Sequence, residues 1–155
     1  INLTKMSILK NLNDELKAAM RAKDSIKLEA LRAIKSEVLL AQTSSGGGAL
    51  LSEDQEIKLL QKLVKQRKDS SAIYRDQNRE DLASLEEDQA AVIVTFLPEQ
   101  LTTEEIEKIA ASIILKIGAE GMKDMGKVMG MATKEISGKA DGKTISTIVK
   151  EKLSR

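Results

Sequence analysis

Residues 96–105 read FLPEQLTTEE, and this stretch divides the sequence into two parts. Pro98, the only proline in the chain, disfavours helix at the residue before it, so we expect a boundary there. Thr102 and Glu105 follow with the spacing of a capping box, which predicts that a new helix begins at once. The sequence therefore predicts an N-terminal helical part over residues 6–97 and a C-terminal part over residues 98–155.

The composition predicts an all-α fold. Tyr74 and Phe96 are the only aromatic residues, so Leu, Ile, Val, Met and Ala must build the core. These residues, with one proline in 155 positions, favour helix over strand. Apolar periodicity near 3.6 residues predicts about four helices before Pro98 and three after it.

Particular residues set the expected limits of these helices. Ser7 is expected to cap the first helix, and Ser52 with Gln55 forms a capping box for the third. Thr43-Ser44-Ser45-Gly46-Gly47-Gly48 predicts a flexible loop. Asp124 is expected to cap the sixth helix. The stripes expected to face the core of the first two helices are Ile8, Leu9, Leu12, Leu16 and Met20, then Leu28, Leu31, Ile34, Val38 and Leu39.

Several classes of site are disfavoured by what the sequence lacks. The chain contains no cysteine and no histidine, so thiolate chemistry and the commonest general base are absent. Glu86, Glu87 and Asp88 diverge by about 100° each around a helix, so they cannot converge on one metal ion. No apolar run approaches the roughly 20 residues that span a bilayer. We therefore expect no cofactor, no metal and no membrane contact, with residues 1–5 as an upstream extension before a start at Met6, and a cytoplasmic location.

Charge is distributed unevenly along the chain, whose net charge is +1. Residues 76–88 contain six acids and one arginine, whereas residues 121–155 contain eight bases and four acids. The total is too small to identify a nucleic-acid-binding protein, and the basic C-terminal third is only a local indication.

The predicted sixth helix has an unusual solvent face. At about 100° per residue, apolar residues gather on one side, and the opposite side carries Lys123, Gly126, Lys127, Gly130 and Lys134. A glycine within a helix costs roughly 0.5–1 kcal/mol relative to alanine, so two of them require a reason. One reason is close contact with another helix. The other is a smooth basic surface that a phosphodiester backbone can approach.

The turn that follows adds further candidates. Lys139 and Lys143 extend the basic surface, and the backbone amides of Gly142, Lys143 and Thr144 are predicted to lie at a helix N-terminus, where amides suit phosphate. Arg67 forms a separate candidate. It falls on the apolar face of the third helix, so we expect a structural ion pair with Glu86, Glu87 or Asp88.

Four of these segments together carry a family resemblance. VKQRKDS at 64–70, FLPEQL at 96–101, DMGKVMG at 124–130 and GKADG at 138–142 occur in this order. The chain resembles the GatB/YqeY family, and in particular the free-standing YqeY-like proteins, over about residues 6–153. The resemblance implies an N-terminal helical part and a small three-helix domain. In the larger relatives it corresponds to the tail of the B subunit of tRNA-dependent amidotransferases, which is understood to hold tRNA.

Three functions remain open at this point. The first is an accessory module that binds tRNA or other RNA through the lysines and glycines named above. The second is a helical adaptor for a protein, such as a translation-related one, whose helix the glycine face would seat. The third is a catalytic amidotransferase fragment, as the family label of carbon–nitrogen ligase implies. We rank it last, and expect no enzyme activity from this chain alone, since no nucleophile–base pair is visible.

Overall fold

The computed structural model describes residues 9–44 and 51–155, and within them all regular structure is helical. The chain order is α1 (Leu12–Ala22), α2 (Ser25–Ser44), α3 (Glu53–Asp76), α4 (Glu80–Val94), α5 (Thr103–Ile117), α6 (Met125–Ile136) and α7 (Gly142–Leu153). A short 3₁₀ helix, Met122–Asp124, precedes α6. The all-α prediction is confirmed. The expected cap at Ser7 and most of the predicted loop at 43–48 lie outside the described residues, but Thr43 and Ser44 still belong to α2.

Internal contacts divide the chain into two compact units, Ile1–Leu97 and Pro98–Arg155. The N-terminal unit contains α1 to α4 around one aliphatic core. Its buried members are Leu12, Leu16, Ala19, Ala30, Leu31, Ile34, Leu60, Leu63, Val64, Ala90 and Ile93. Burying each large side chain contributes about 1.5–3 kcal/mol, so this core is the main source of stability for the unit.

Two residues expected in that core lie outside it. Met20 and Leu39 are each 52% exposed. The core-facing stripe of α1 runs through Leu12, Leu16 and Ala19, which places Met20 about 100° beyond the last of them. Leu39 likewise follows the half-buried Val38 by one position.

The C-terminal unit is a three-helix arrangement of α5, α6 and α7 around a second aliphatic core. The predicted capping box is present at its start, where Thr102 accepts from the Glu105 amide at 3.2 Å and the Glu105 side chain accepts from the Thr102 amide at 3.4 Å. Gly118 ends α5 in the left-handed region at φ 66°, a conformation common at helix C-termini and favourable for glycine. Asp124 is the residue before α6, as predicted, but its side chain makes no capping hydrogen bond, since its carboxylate accepts instead from the Glu120 amide at 2.9 Å.

Polar side chains join α3 to α4, but not in the predicted pairing. Arg67 donates from Nε to Gln89 Oε1 at 3.2 Å and from a terminal nitrogen to the Leu63 carbonyl at 3.3 Å. Its partner on α4 is therefore an amide, where we expected a carboxylate. The reason is the register of the two helices, which brings Gln89 opposite Arg67 and leaves Glu87 for residues one and two turns further along α3.

Glu87 on α4 accepts further hydrogen bonds between α3 and α4, and we call this set of polar contacts the α3–α4 seam. It accepts from the buried Ser71 hydroxyl at 2.8 Å and from the Arg75 guanidinium at 2.5 Å, and Arg75 also pairs with Glu80. The hydrogen bonds from Arg75 and then from Ser71 lower the pKa of the Glu87 carboxyl. A carboxyl with a lowered pKa stabilises the folded state above its unfolded pKa, and this contribution is lost as pH falls through the folded value.

We predict that Glu87 contributes to the acid sensitivity of the N-terminal unit. The variant Glu87→Gln keeps the side-chain size and an acceptor but removes the charge that Arg75 contacts. Its unfolding free energy is expected to fall below that of the wild type at pH 7, and the difference is expected to shrink below the ordinary carboxyl pKa of about 4.3. Urea unfolding at pH 7 and pH 3 measures both effects.

Glu86→Gln provides the matched control, because Glu86 has no hydrogen bond or ion pair within residues 9–44 and 51–155. It removes the same charge from the adjacent position. A Glu87→Gln variant that keeps the wild-type acid dependence would contradict the assignment.

Candidate nucleic-acid interface

The buried side of α6 fixes the direction of its solvent side. Val128, Ala132 and Ile136, spaced four residues apart, are at most 1% exposed, and they pack into the core of the C-terminal unit. Gly126 and Gly130 consequently lie on the exposed side. The division of α6 into an apolar and a glycine-lysine side therefore agrees with the sequence analysis.

Both glycines face open space. A Cβ atom added at Gly126 or at Gly130 would have no atom of the described structure within 4 Å, other than those of the helix itself. Close contact with another helix of this unit therefore does not explain them, although the sequence analysis left that explanation open. Among the described residues, the helix therefore carries two unfavourable residues without a compensating contact.

Two lysines flank the glycines without ion-pair partners. Lys127 and Lys134 are exposed, and neither makes an ion pair with any residue in the described ranges. Lys123 differs, since its Nζ lies 3.5 Å from Glu120 Oε2. We define the α6 face as Gly126, Lys127, Gly130 and Lys134. The helix rises about 18 Å over its 12 residues, enough to follow several phosphates of a nucleic-acid backbone.

The turn after α6 holds Lys139, and the amides of Gly142, Lys143 and Thr144 follow it at the start of α7, as predicted. Asp141 caps α7: its carboxylate accepts from the Thr144 amide at 3.2 Å and from the Thr144 hydroxyl at 2.5 Å. A carboxylate thus already occupies the N-terminus where Gly142, Lys143 and Thr144 were expected to bind phosphate. Asp141 satisfies one of these amides and places negative charge beside the others, which disfavours a phosphate there, and phosphate binding at this end stays a prediction.

Lys143 lies in a different setting from the α6 face. It lines an opening of about 320 Å³ between α5 and α7, together with Glu107 and Glu151. The two carboxylates oppose a nearby phosphate. The eight predicted residues thus fall into four settings. Four of them form the α6 face, and Lys139 and Gly142 lie in the turn before α7. Lys143 lines the acidic opening, and Lys123 pairs with Glu120.

Gln100 also lies beside this turn, a position that no sequence pattern predicted. Its side-chain Nε2 donates to the Gly138 carbonyl at 2.8 Å, 38 residues away in sequence. Only the neighbourhood of two quoted motifs, residues 96–101 and 138–142, offered any signal for it.

These features define an all-helical, two-unit protein with a basic, glycine-lined helix face, a class suited to binding a partner. The chain belongs to the Yqey-like protein family, whose sequence model matches residues 9–153. This confirms the resemblance that the four motifs indicated.

Individual relatives give a more detailed comparison. The chain is 31% identical over 147 residues to "Altered inheritance of mitochondria protein 41, mitochondrial" of Pyrenophora tritici-repentis, covering 93% of this chain and 80% of that protein. It is 33% identical over 121 residues to the protein of the same name from Vanderwaltozyma polyspora, covering 74% and 64% respectively. A stretch of 57 residues is 40% identical to a subunit of the glutamyl-tRNA(Gln) amidotransferase of Thermococcus gammatolerans, covering 34% of this chain and 9% of that larger protein.

These names correct one expectation and bear on another. The relatives similar over most of the chain are named as mitochondrial proteins, which contradicts the predicted cytoplasmic location and points to the mitochondrion. The amidotransferase protein matches over only 9% of its own length, so its activity is not carried over to this chain.

Metal clusters and membrane spans are both absent from the part of the chain that the structure describes. Residues 9–44 and 51–155 contain no group of three or more acidic side chains arranged to hold a metal ion. No helix in the same ranges is long and apolar enough to cross a membrane.

We predict that Gly130→Ala stabilises the protein. The added methyl group meets open space and removes the entropic cost of glycine within a helix, so the unfolding free energy should rise by about 0.5–1 kcal/mol. Gly118→Ala is the matched control. It also faces open space, but its φ of 66° is strained for alanine, so stability should fall by about 1–2 kcal/mol. Thermal and urea unfolding measure both changes, and a destabilised Gly130→Ala would mean that its Cβ is not free.

Proposed function

We propose that this protein is an accessory module that binds structured RNA, with tRNA as the leading candidate, through the α6 face and Lys139. The observation that carries the proposal is the open glycine pair flanked by Lys127 and Lys134. Both lysines are free of ion pairs within the described residues, so binding a phosphate does not first require breaking an internal contact.

The chemistry of the face suits a phosphodiester backbone. Each lysine that neutralises a phosphate releases a condensed counterion, and this release drives association at low salt. Side chains at positions 126 and 130 would hold the backbone away from the helix, and glycine removes that obstacle. Tyr74 and Phe96, the only aromatic residues, are both half-buried in the N-terminal unit, so stacking on bases is not part of the proposal. Recognition would then rest on the shape and backbone of a folded RNA.

Similarity to another protein supports the choice of tRNA. The amidotransferase relative is named for glutamyl-tRNA(Gln), and it is 40% identical to this chain over 57 residues. We propose that the C-terminal unit serves RNA binding without amidation chemistry of its own. We further propose the mitochondrion as its place of action, because the relatives similar over most of the chain are named as mitochondrial proteins.

The α6 face also supports a second candidate. Glycines at positions i and i+4 allow another helix to approach closely, and both are open here. A helical partner protein, such as a translation-related one, could therefore occupy the same face. We place RNA first because both flanking residues are unpaired lysines within the described ranges, which favour a continuous anionic partner.

The test is a fluorescence-anisotropy titration of the whole protein with labelled bulk tRNA at several salt concentrations. We expect saturable binding that weakens with salt. The triple variant Lys127→Ala, Lys134→Ala, Lys139→Ala should bind more weakly, and its salt slope should fall by roughly two to three, since each phosphate contact contributes about 0.7–0.9. Gly130→Ala should also weaken binding, although it stabilises the fold.

Two variants act as controls. The triple variant Lys17→Ala, Lys35→Ala, Lys58→Ala removes the same charge from exposed positions of the N-terminal unit and should keep the wild-type salt slope. Lys143→Ala should have a small effect, because Lys143 lies beside Glu107 and Glu151. An equal loss in both triple variants would mean non-specific attraction. No binding at low salt would reject the RNA proposal and leave the helical partner to be sought by pull-down after nuclease treatment.

A further inference from the structure

Two hydrogen bonds tie the segment before α5 to the turn between α6 and α7, and a third holds the Gln100 side chain against its own segment. Gln100 Nε2 donates to the Pro98 carbonyl and to the Gly138 carbonyl, both at 2.8 Å. The Leu101 backbone amide donates to the Lys139 carbonyl, also at 2.8 Å. We call these three bonds the clasp. It lies within the C-terminal unit and joins two of the family motifs, residues 96–101 and 138–142.

The clasp satisfies groups that the end of α6 leaves without helical partners. The last carbonyls of a helix, and those of the residues just beyond it, have no donor within the helix. Gly138 is buried and has a φ of 79°, a left-handed conformation that does not continue α6. The Gln100 amide reaches the Gly138 carbonyl across 38 positions of sequence, which makes the bond a tertiary constraint on the turn.

Lys139 is consequently fixed at both of its backbone groups. Its amide donates to the Ile136 carbonyl at 3.0 Å, and its carbonyl accepts from Leu101. The neighbouring Ala140 is buried in the core, while the Lys139 side chain remains exposed. These two hydrogen bonds fix the backbone conformation at Lys139. The Lys139 side chain therefore extends from a fixed position just after α6.

We propose that Gln100 is a positioning residue for RNA binding: through the clasp it holds Lys139 at a set distance from Lys134 and Lys127. Gln100 does not contact RNA itself. Three cations at fixed spacing can meet successive phosphates without losing backbone entropy on binding, whereas a loose turn must be ordered first. This inference rests on the proposed RNA-binding function and concerns the same face.

The test uses a double-mutant cycle between Gln100 and Lys139 in the whole protein, with the anisotropy assay and bulk tRNA as the probe. Gln100→Met keeps the side-chain length and removes the donor. We expect its affinity to fall about threefold or more, with a salt slope lower by about one phosphate contact, as in Lys139→Ala. In the Lys139→Ala background, Gln100→Met should cause no further loss.

Gln66→Met is the matched control, since Gln66 is exposed on α3 and has no hydrogen bond from its side chain within the described ranges. It should leave affinity and salt slope unchanged. If Gln100→Met does not fold, Gln100→Asn, which keeps the amide on a shorter side chain, should give a smaller loss that likewise disappears in the Lys139→Ala background.

The outcomes separate this inference from the proposed function. A loss that is equal in the wild-type and Lys139→Ala backgrounds would mean that Gln100 only stabilises the fold, and would overturn the positioning role. Unchanged affinity and slope in Gln100→Met would overturn it as well, with the proposed function intact if the triple lysine variant still loses binding. Absence of tRNA binding by the wild type would overturn both.

Discussion

The core-facing stripe of α6 is the constraint on which the C-terminal unit depends. Val128, Ala132 and Ile136 are buried at successive turns, and this burial leaves the helix only one orientation. Because side chains repeat every 3.6 residues, fixing the buried side also fixes which residues point outward. Gly126 and Gly130 are therefore on the surface as a direct consequence of hydrophobic packing. Nothing in the described structure contacts the place where their side chains would be.

The two units use polar contacts for different purposes. In the N-terminal unit, Ser71, Arg75 and Glu87 join two long helices that already share an aliphatic core, so the polar seam fixes their register. In the C-terminal unit, Gln100 and Asp141 secure the turn between α6 and α7 from its two sides. A short turn has few apolar groups to bury, so hydrogen bonds determine its conformation.

The charges of the C-terminal unit do not form one uniform basic surface. Lys127 and Lys134 are unpaired within the described residues, whereas Lys123 lies beside Glu120 and Lys143 beside two carboxylates. The count of eight bases and four acids over residues 121–155 does not distinguish the unpaired lysines from those that lie beside carboxylates. An anionic partner would meet attraction along α6 and opposition at the opening between α5 and α7, which gives the unit a direction for binding.

The sequence by itself determined the all-helical class, both capping boxes and the two sides of α6, because these follow from local propensity and helical periodicity. The four motifs, read in order, also determined the family. Only the tertiary structure decided which charged groups meet. Arg67 contacts Gln89 since the register of α3 and α4 brings that residue opposite, and Lys143 faces carboxylates from α5 and α7. The same holds for Gln100, whose bond to Gly138 joins positions that no local pattern connects. Periodicity specifies a direction around one helix, but the neighbour found in that direction depends on how the helices pack.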